Sequence, residues 1–227
     1  MPYLVAVLGF DERHVIKSLL RLGFKNVDGI YLVVPAGRIT EQTRDAIKRI
    51  EEVAMLAGVD VNNQVKIVEV KPVDFGSTIS ELRRLLMNLS VGGEEITISV
   101  GGGFRAMVVE VLIAALLLPL EISRRVKLVC DLESGDGFIE FSVFDILSIY
   151  RLGYDELKVL SYLTRKEPAG PTQISREFSI PKTTAWKILK KLHKENYLVR
   201  DGREYKLSEI GRRIGVLASE IVKESQA

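Results

Sequence analysis

The stretch EITISVGGGFRAMVVEVLIAALLLP, Glu95 to Pro119, decides the fold. Ile96 to Val100 is a short apolar run of strand length, and Phe104 to Leu118 reads as a long apolar helix. Between them stand Gly101, Gly102 and Gly103. A strand that passes through glycines into a helix makes a cavity floor. Residues without a Cβ let a ligand approach the backbone, and the free N–H groups of the helix start favour an anion. Arg105 adds a positive charge with a planar donor fork. The apolar run from Met107 to Leu120 is interrupted by Glu110 and ends near Pro119, too short to span a bilayer, which takes about 20 residues.

Outward from this stretch, strands alternate with helices. Tyr3 to Leu8 (YLVAVL) is a continuous apolar run, as in a parallel strand buried on both faces. Gly9-Phe10-Asp11 follows, with Asp11 the expected cap of a helix from Glu12 to Leu22. Gly29 to Val34, Val65 to Val70 and Val126 to Asp131 are further strands. Thr40 to Ala57 and Ser77 to Leu89 are the helices between. Gly135-Asp136-Gly137 reads as a hairpin turn into Phe138 to Val143. The pattern predicts an α/β, Rossmann-like parallel sheet with ligands at the carboxyl ends of its strands. The loops at Gly9-Phe10-Asp11 and Gly101 to Arg105 then share one edge with those at Pro35 to Arg38 and Pro72 to Ser77.

The composition changes near Tyr150. Residues 1 to 150 hold 16 Lys and Arg against 20 Asp and Glu, a balance of −4, whereas residues 151 to 227 hold 16 against 10, or +6. Such asymmetry predicts two domains, here divided as 1–145 and 146–227, the second facing a polyanion. Asp155 to Thr164, Gln173 to Phe178 and Lys182 to Asn196 read as helices, with Thr172 capping the second and Ser179-Ile180-Pro181 turning the chain. Tyr197 to Arg200 and Arg203 to Leu207 form a hairpin about Asp201-Gly202, and a helix runs from Ser208 to about Lys223. This order is a winged helix-turn-helix. Its second helix enters the major groove by its N-terminal residues. The expected DNA-binding residues are Thr172, Lys182, Thr183, Thr184, Lys187, Lys190 and Lys191, with Arg200, Arg203 and Lys206 on the wing. Trp186 is expected in the core, and His193 at the surface or its boundary.

The chemistry of the first domain is binding rather than catalysis. GGGFRAM has neither the lysine of a Walker A loop nor the G-x-G-x-x-G of a dinucleotide site, so taken alone it reads equally as a ligand site or as a tight packing turn, and the nearby Gly9-Phe10-Asp11 loop favours the site. His14 has no carboxylate partner visible in sequence and is expected to line the pocket or the surface. No Cys/His group has metal-ligand spacing, and Ser99 lacks the context of a nucleophile elbow. The expected ligand-binding set is Gly9, Phe10, Asp11, Arg13, Gly101, Gly102, Gly103, Phe104 and Arg105, with no catalytic residue, metal or cofactor. Phe10 and Phe104 are placed to stack on bases. The single cysteine, Cys130, and an N-terminus without a basic signal-peptide region fit a cytoplasmic protein.

With these residues in place, the whole chain resembles a CRISPR-associated Rossmann-fold (CARF) domain joined to a winged helix, as in the archaeal CRISPR-associated transcriptional regulators of the Csa family. VLGFDERHVIKSLL and ISVGGGFRAMVVEVL resemble the two loops of that family after the first and fourth strands. Phe104 and Arg105 stand where the family often has Thr-Lys, which keeps the charge and loses the hydroxyl. The resemblance implies a homodimer, a cyclic oligoadenylate (foremost cyclic tetra-adenylate) at its two-fold axis, and a palindromic double-stranded DNA site. It also leaves open a slow ring-nuclease activity on that ligand. A repressor sensing another nucleotide metabolite is the remaining alternative.

Overall fold

The computed structural model describes residues 1–132 and 137–224. They form two compact units, Met1–Phe144 and Asp145 onward. In the first unit, β1 (Tyr3–Val7) leads into α1 (Arg13–Leu22), and β2 (Gly29–Pro35) into α2 (Glu41–Leu56) and the single turn α3 (Val61–Gln64). Then come β3 (Val65–Val70), α4 (Phe75–Leu89), β4 (Ile96–Ser99), α5 (Arg105–Leu116), α6 (Leu120–Ser123), β5 (Val126–Asp131) and β6 (Phe138–Ser142). The sheet order is β3-β2-β1-β4-β5-β6. Its first five strands are parallel, and β6 runs antiparallel to β5. Of the predicted Gly135-Asp136-Gly137 turn, Gly135 and Asp136 lie outside the described residues.

The alternation of side chains along each strand divides the core. Leu4, Ala6 and Leu8 join Ile30, Leu32 and Val34 under Val15 and Leu19 of α1 and Ala46 and Ile50 of α2. Val5 and Val7 therefore point to the opposite face, where α4 and α5 pack against each other. The chain moves outward from β1 in one direction for β2 and β3 and in the other for β4 and β5. Adjacent β1 and β4 thus form the switch point, where the loops at their carboxyl ends diverge and leave a crevice.

In the second unit α7 (Val143–Ile149), which begins at the unit boundary, precedes α8 (Tyr154–Leu163), α9 (Pro171–Phe178), α10 (Lys182–Lys194), the hairpin β7 (Leu198–Asp201) and β8 (Glu204–Leu207), and α11 (Glu209–Glu224). This is a winged helix-turn-helix. Ser179, at φ +52°, turns the chain between α9 and α10. Leu157, Leu160, Ile174, Ala185, Leu189, Leu192 and Ile214 meet in its core.

Several local expectations need correction. Helix α1 starts at Arg13 with Glu12 as its cap residue, although the Asp11 carboxylate accepts the Arg13 N–H at 3.0 Å. Helix α9 is capped at Gly170 with Pro171 in its first turn, so Thr172 lies inside the helix; the Gly170 N–H donates to the Gln173 side chain at 2.5 Å. Proline at the first helical position loses nothing by lacking an N–H, which fixes this start. The wing turn is Gly202-Arg203, because Leu198 pairs with Leu207 and that register pairs Asp201 with Glu204. Residues 143 to 149 are helical.

Glu110 is fully buried in α5, and neither carboxylate oxygen has a hydrogen-bond partner among the described residues. Burial raises its pKa. The folded chain therefore holds this proton more tightly than the unfolded chain, so its contribution to stability is largest at acid pH and falls as pH climbs from the ordinary carboxylate value towards the raised one. Glu110→Met is expected to stabilise the protein by about 1–3 kcal/mol at neutral pH, the cost of an unsatisfied buried group. Denaturant titrations should find this gain shrinking as the pH is lowered to about 4.5, near the reference value of a glutamate.

Candidate functional site

The carboxyl edge of the sheet carries three clefts in a row. The first, of about 280 Å³, is walled by the start of α1 (Asp11, Arg13, His14, Lys17), by Gly101 and by Asp131 and Leu132 after β5. The second, of about 310 Å³, lies between Gly9-Phe10-Asp11 and Gly103-Phe104. The third, of about 360 Å³, lies between Pro35 to Arg38, Lys71 to Val73, and Phe104 with Ala106. Asp11 borders the first two and Phe104 the last two, so the clefts follow one another along a single edge.

The glycines are there because the backbone is crowded. A Cβ on Gly9 would stand 2.8 Å from the Cα of Gly103, so the two loops touch main chain to main chain. Gly103 has φ +92°, and its Cβ would meet the Val7 side chain at 2.6 Å. At Gly101 and Gly102 the missing Cβ atoms make room for the His14 ring. The His14 ring thus fills the side of Gly101 and Gly102 on which a Cβ would stand, while Gly101 borders the first cleft and Gly103 the second.

His14 is buried, with Nε2 3.0 Å from the Val7 carbonyl oxygen. A carbonyl only accepts, so Nε2 carries the hydrogen. Burial lowers the pKa of this ring, opposed by the Val7 carbonyl and by Asp11 and Asp131, and the imidazole is neutral at pH 7. Asp11 is committed to Arg13, whose Nε donates to both carboxylate oxygens at 2.9 Å and whose Nη2 donates to Oδ2 at 2.6 Å. That guanidinium holds the Asp11 pKa down to about 2. Asp131 forms an ion pair with Arg21 through Oδ1, while Oδ2 is buried without a partner among the described residues.

Of the predicted ligand set, Gly9, Phe10, Asp11, Gly103 and Phe104 come together in the second cleft, and Asp11, Arg13 and Gly101 in the first. Phe10 is 56% exposed, free to stack on a base. Arg105 is exposed at the start of α5 and lines none of the three clefts. The cations that do are Arg13, Lys17, Arg38 and Lys71. Lys17 was legible as the residue one turn beyond Arg13 on the same helix face, and Asp131 as the last residue of a parallel strand. No side chain caps the start of α5, which leaves its first-turn N–H groups open to an anion. The edge as a whole suits a ligand that carries both phosphates and bases.

On the second unit, Lys182, Thr183, Lys187 and Lys190 are exposed along α10, as are Arg200, Arg203 and Lys206 on the wing and Thr172 on α9, while Thr184 is half-buried. Lys191 differs: its Nζ donates to Glu156 of α8 at 2.6 Å, and this carboxylate raises its pKa. It ties α10 to α8. Lys206 pairs with Asp201 at 3.4 Å, and the Arg200 Nε donates to the Gly202 carbonyl at 3.0 Å. Trp186, expected in the core, is 46% exposed. Its neighbours Ala185, Ile188, Leu189 and Leu192 take the buried stripe, and the helical twist turns position 186 out of it.

Comparison with known proteins adds two families. Residues 2–142 match the Csa3 CRISPR-associated Rossmann-like domain. Residues 157–202 match the IclR helix-turn-helix domain. No curated protein matches. Among solved structures, Can2 from Sulfobacillus thermosulfidooxidans, in complex with cyclic tetra-adenylate, is similar at 8% identity and TM-score 0.45, over 100% of this chain and 66% of that one. Protein VC1899 from Vibrio cholerae is similar at 13% identity and TM-score 0.43, over 99% and 67%. A MarR family protein of Mycobacterium tuberculosis is similar at 21% identity and TM-score 0.32, over 35% and 61%. The chain thus spans between 61% and 67% of the length of these structures. Among the described residues no helix is long and apolar enough to cross a membrane.

The crowding makes a direct prediction. Gly103→Ala forces a positive φ on a residue with a Cβ and drives that atom into Val7, so denaturant unfolding should register a loss of about 1–3 kcal/mol. Arg105→Ala, on an exposed side chain, should leave the midpoint unchanged within about 0.5 kcal/mol.

Proposed function

The chain belongs to the Csa3 CRISPR-associated Rossmann-like family, and from that premise we propose that it is a ligand-responsive DNA-binding transcriptional regulator of CRISPR loci, sensing a cyclic oligoadenylate, foremost cyclic tetra-adenylate. The observation that carries this reading is a pairing within one chain. A sheet edge with four cations and two exposed or half-buried phenylalanines is joined to a helix-turn-helix whose outward face is basic. The likeness to Can2 is too loose to bring its ligand across; the chemistry of the edge is what supports it.

In this reading the phosphates lie against Lys17, Arg38 and Lys71 and the uncapped start of α5. Phe10 and Phe104 take the faces of bases. Two copies of the chain hold one ring about a two-fold axis, each edge taking half of it. The ring binds one arrangement of the dimer better than another and shifts the population between them. The two copies of α10 then meet a palindromic site whose halves are about 34 Å apart. The residues at the edge bind rather than react: the neutral His14 is held on the Val7 carbonyl and fills the glycine loop.

The test is a titration of cyclic tetra-adenylate into the full chain bound to a CRISPR-promoter duplex. DNA affinity should change at least about fivefold, in line with ordinary allosteric coupling. Calorimetry without DNA should detect the same ligand, and Lys17→Ala with Arg38→Ala should weaken it at least about tenfold, a few charge-assisted contacts' worth. Absence of binding by calorimetry would remove the cyclic ligand from the reading, and appearance of linear products would make the protein a ring nuclease instead. For the DNA arm, Lys182→Ala and Lys187→Ala should each weaken binding and lower the slope of log K against log salt by about one.

A further inference from the structure

We propose that Trp186 reads DNA sequence, by pressing its indole against thymine methyl groups in the major groove. The inference rests on the DNA-binding reading above and adds to it a residue that sequence reasoning assigned to the core.

Trp186 is the only tryptophan in the chain and is 46% exposed. It sits on the second helix of the helix-turn-helix, one turn from its start. Residues three or four apart share a helix face. Trp186 therefore lies beside Thr183 and Lys190, on the flank of the outward stripe that also carries Lys182 and His193. Every other exposed side chain from Lys182 to Lys194 is a lysine, a threonine or a histidine. A large apolar ring on this basic surface is placed to meet the groove that the start of the helix and its lysines would face.

The chemistry of the groove selects that partner. Lysines on phosphates position a protein on a duplex and carry no sequence information directly. In the major groove the apolar feature offered by a base pair is the thymine methyl. The Lys190 Nζ lies 4.8 Å from the centroid of the indole, a cation–π contact that steadies the ring and keeps the charge beside it. The result is an apolar plate flanked by cations, matched to a methyl-bearing base edge flanked by phosphates.

The experiment uses the full chain and a duplex recovered from a random-sequence library by binding to it. A second duplex carries deoxyuridine at every thymidine, which deletes only the methyl groups. Because Trp186 is the sole tryptophan, its fluorescence should change as the thymidine duplex is added. The wild-type chain should bind the uridine duplex about fourfold more weakly for each methyl contacted, the worth of one buried methyl group. Trp186→Ala should lose a similar factor on the thymidine duplex and no longer tell the two duplexes apart; Trp186→Phe should keep part of the difference. Thermal melting checks that both variants fold. Equal binding of the two duplexes by the wild-type chain, unchanged fluorescence with DNA bound, or discrimination retained by Trp186→Ala would each overturn the assignment and leave the DNA-binding reading intact. Failure to recover any duplex would remove the DNA-binding reading and this one with it.

Discussion

The first unit depends on a main-chain contact. The loops after β1 and β4 touch at Gly9 and Gly103, where a single methyl group would stand 2.8 Å from a backbone carbon. Around this point the packing leaves no slack: Val7 fills the place of a side chain at Gly103, and His14 fills it at Gly101 and Gly102. Interiors are close-packed, so such a contact fixes both loops at once. It also fixes what faces outward. With the loops joined on their inner side, Phe10, Phe104 and the start of α5 are left to border the open clefts. The glycines set the walls of the clefts, with Gly101 bordering the first and Gly9 and Gly103 the second.

Electrostatics along the edge follow the same division between structural and available groups. Arg13 and Arg21 stand near the first cleft, yet each holds a carboxylate, Asp11 and Asp131 respectively. Among the described residues Lys17, Arg38 and Lys71 hold no carboxylate, which leaves their charges to the clefts they line. A unit with a net negative balance can therefore present a positive edge, because potentials close to the surface are set by which charges are already paired. The same sorting applies to α10, where Lys191 anchors the helix to Glu156 and Lys182, Lys187 and Lys190 stand outward.

Much of this was legible in order along the chain. The unbroken apolar runs of β1 and β2, the glycine loop before α5 and the sequence of helices and hairpin in the second unit all follow from local rules. Where reading failed, the reason was physical. Trp186 was assigned inward by the habit of its residue type, although the spacing of Ala185, Ile188, Leu189 and Leu192 already turned it outward. The wing turn was placed at Asp201-Gly202 by dipeptide preference, and the cross-strand register of Leu198 with Leu207 moved it by one residue. Arg105 closely follows the glycines, yet it lines none of the three clefts.

The sequence by itself determined the parallel sheet, the helix-turn-helix and the sheet edge at which the glycine loops gather, because period, turn chemistry and strand-helix alternation are local properties. Only the tertiary structure decided which polar groups are spent and which are free. Asp131 meets Arg21 across 110 positions, Ser18 meets Ser99 across 81, and Lys191 meets Glu156 across 35. Pairings of that range depend on how elements pack, and no spacing along the chain encodes them. The glycine stretch from Gly101 to Gly103 is the clearest case: the fold alone determined that His14 and Val7 occupy its inner side while Phe104 borders two open clefts.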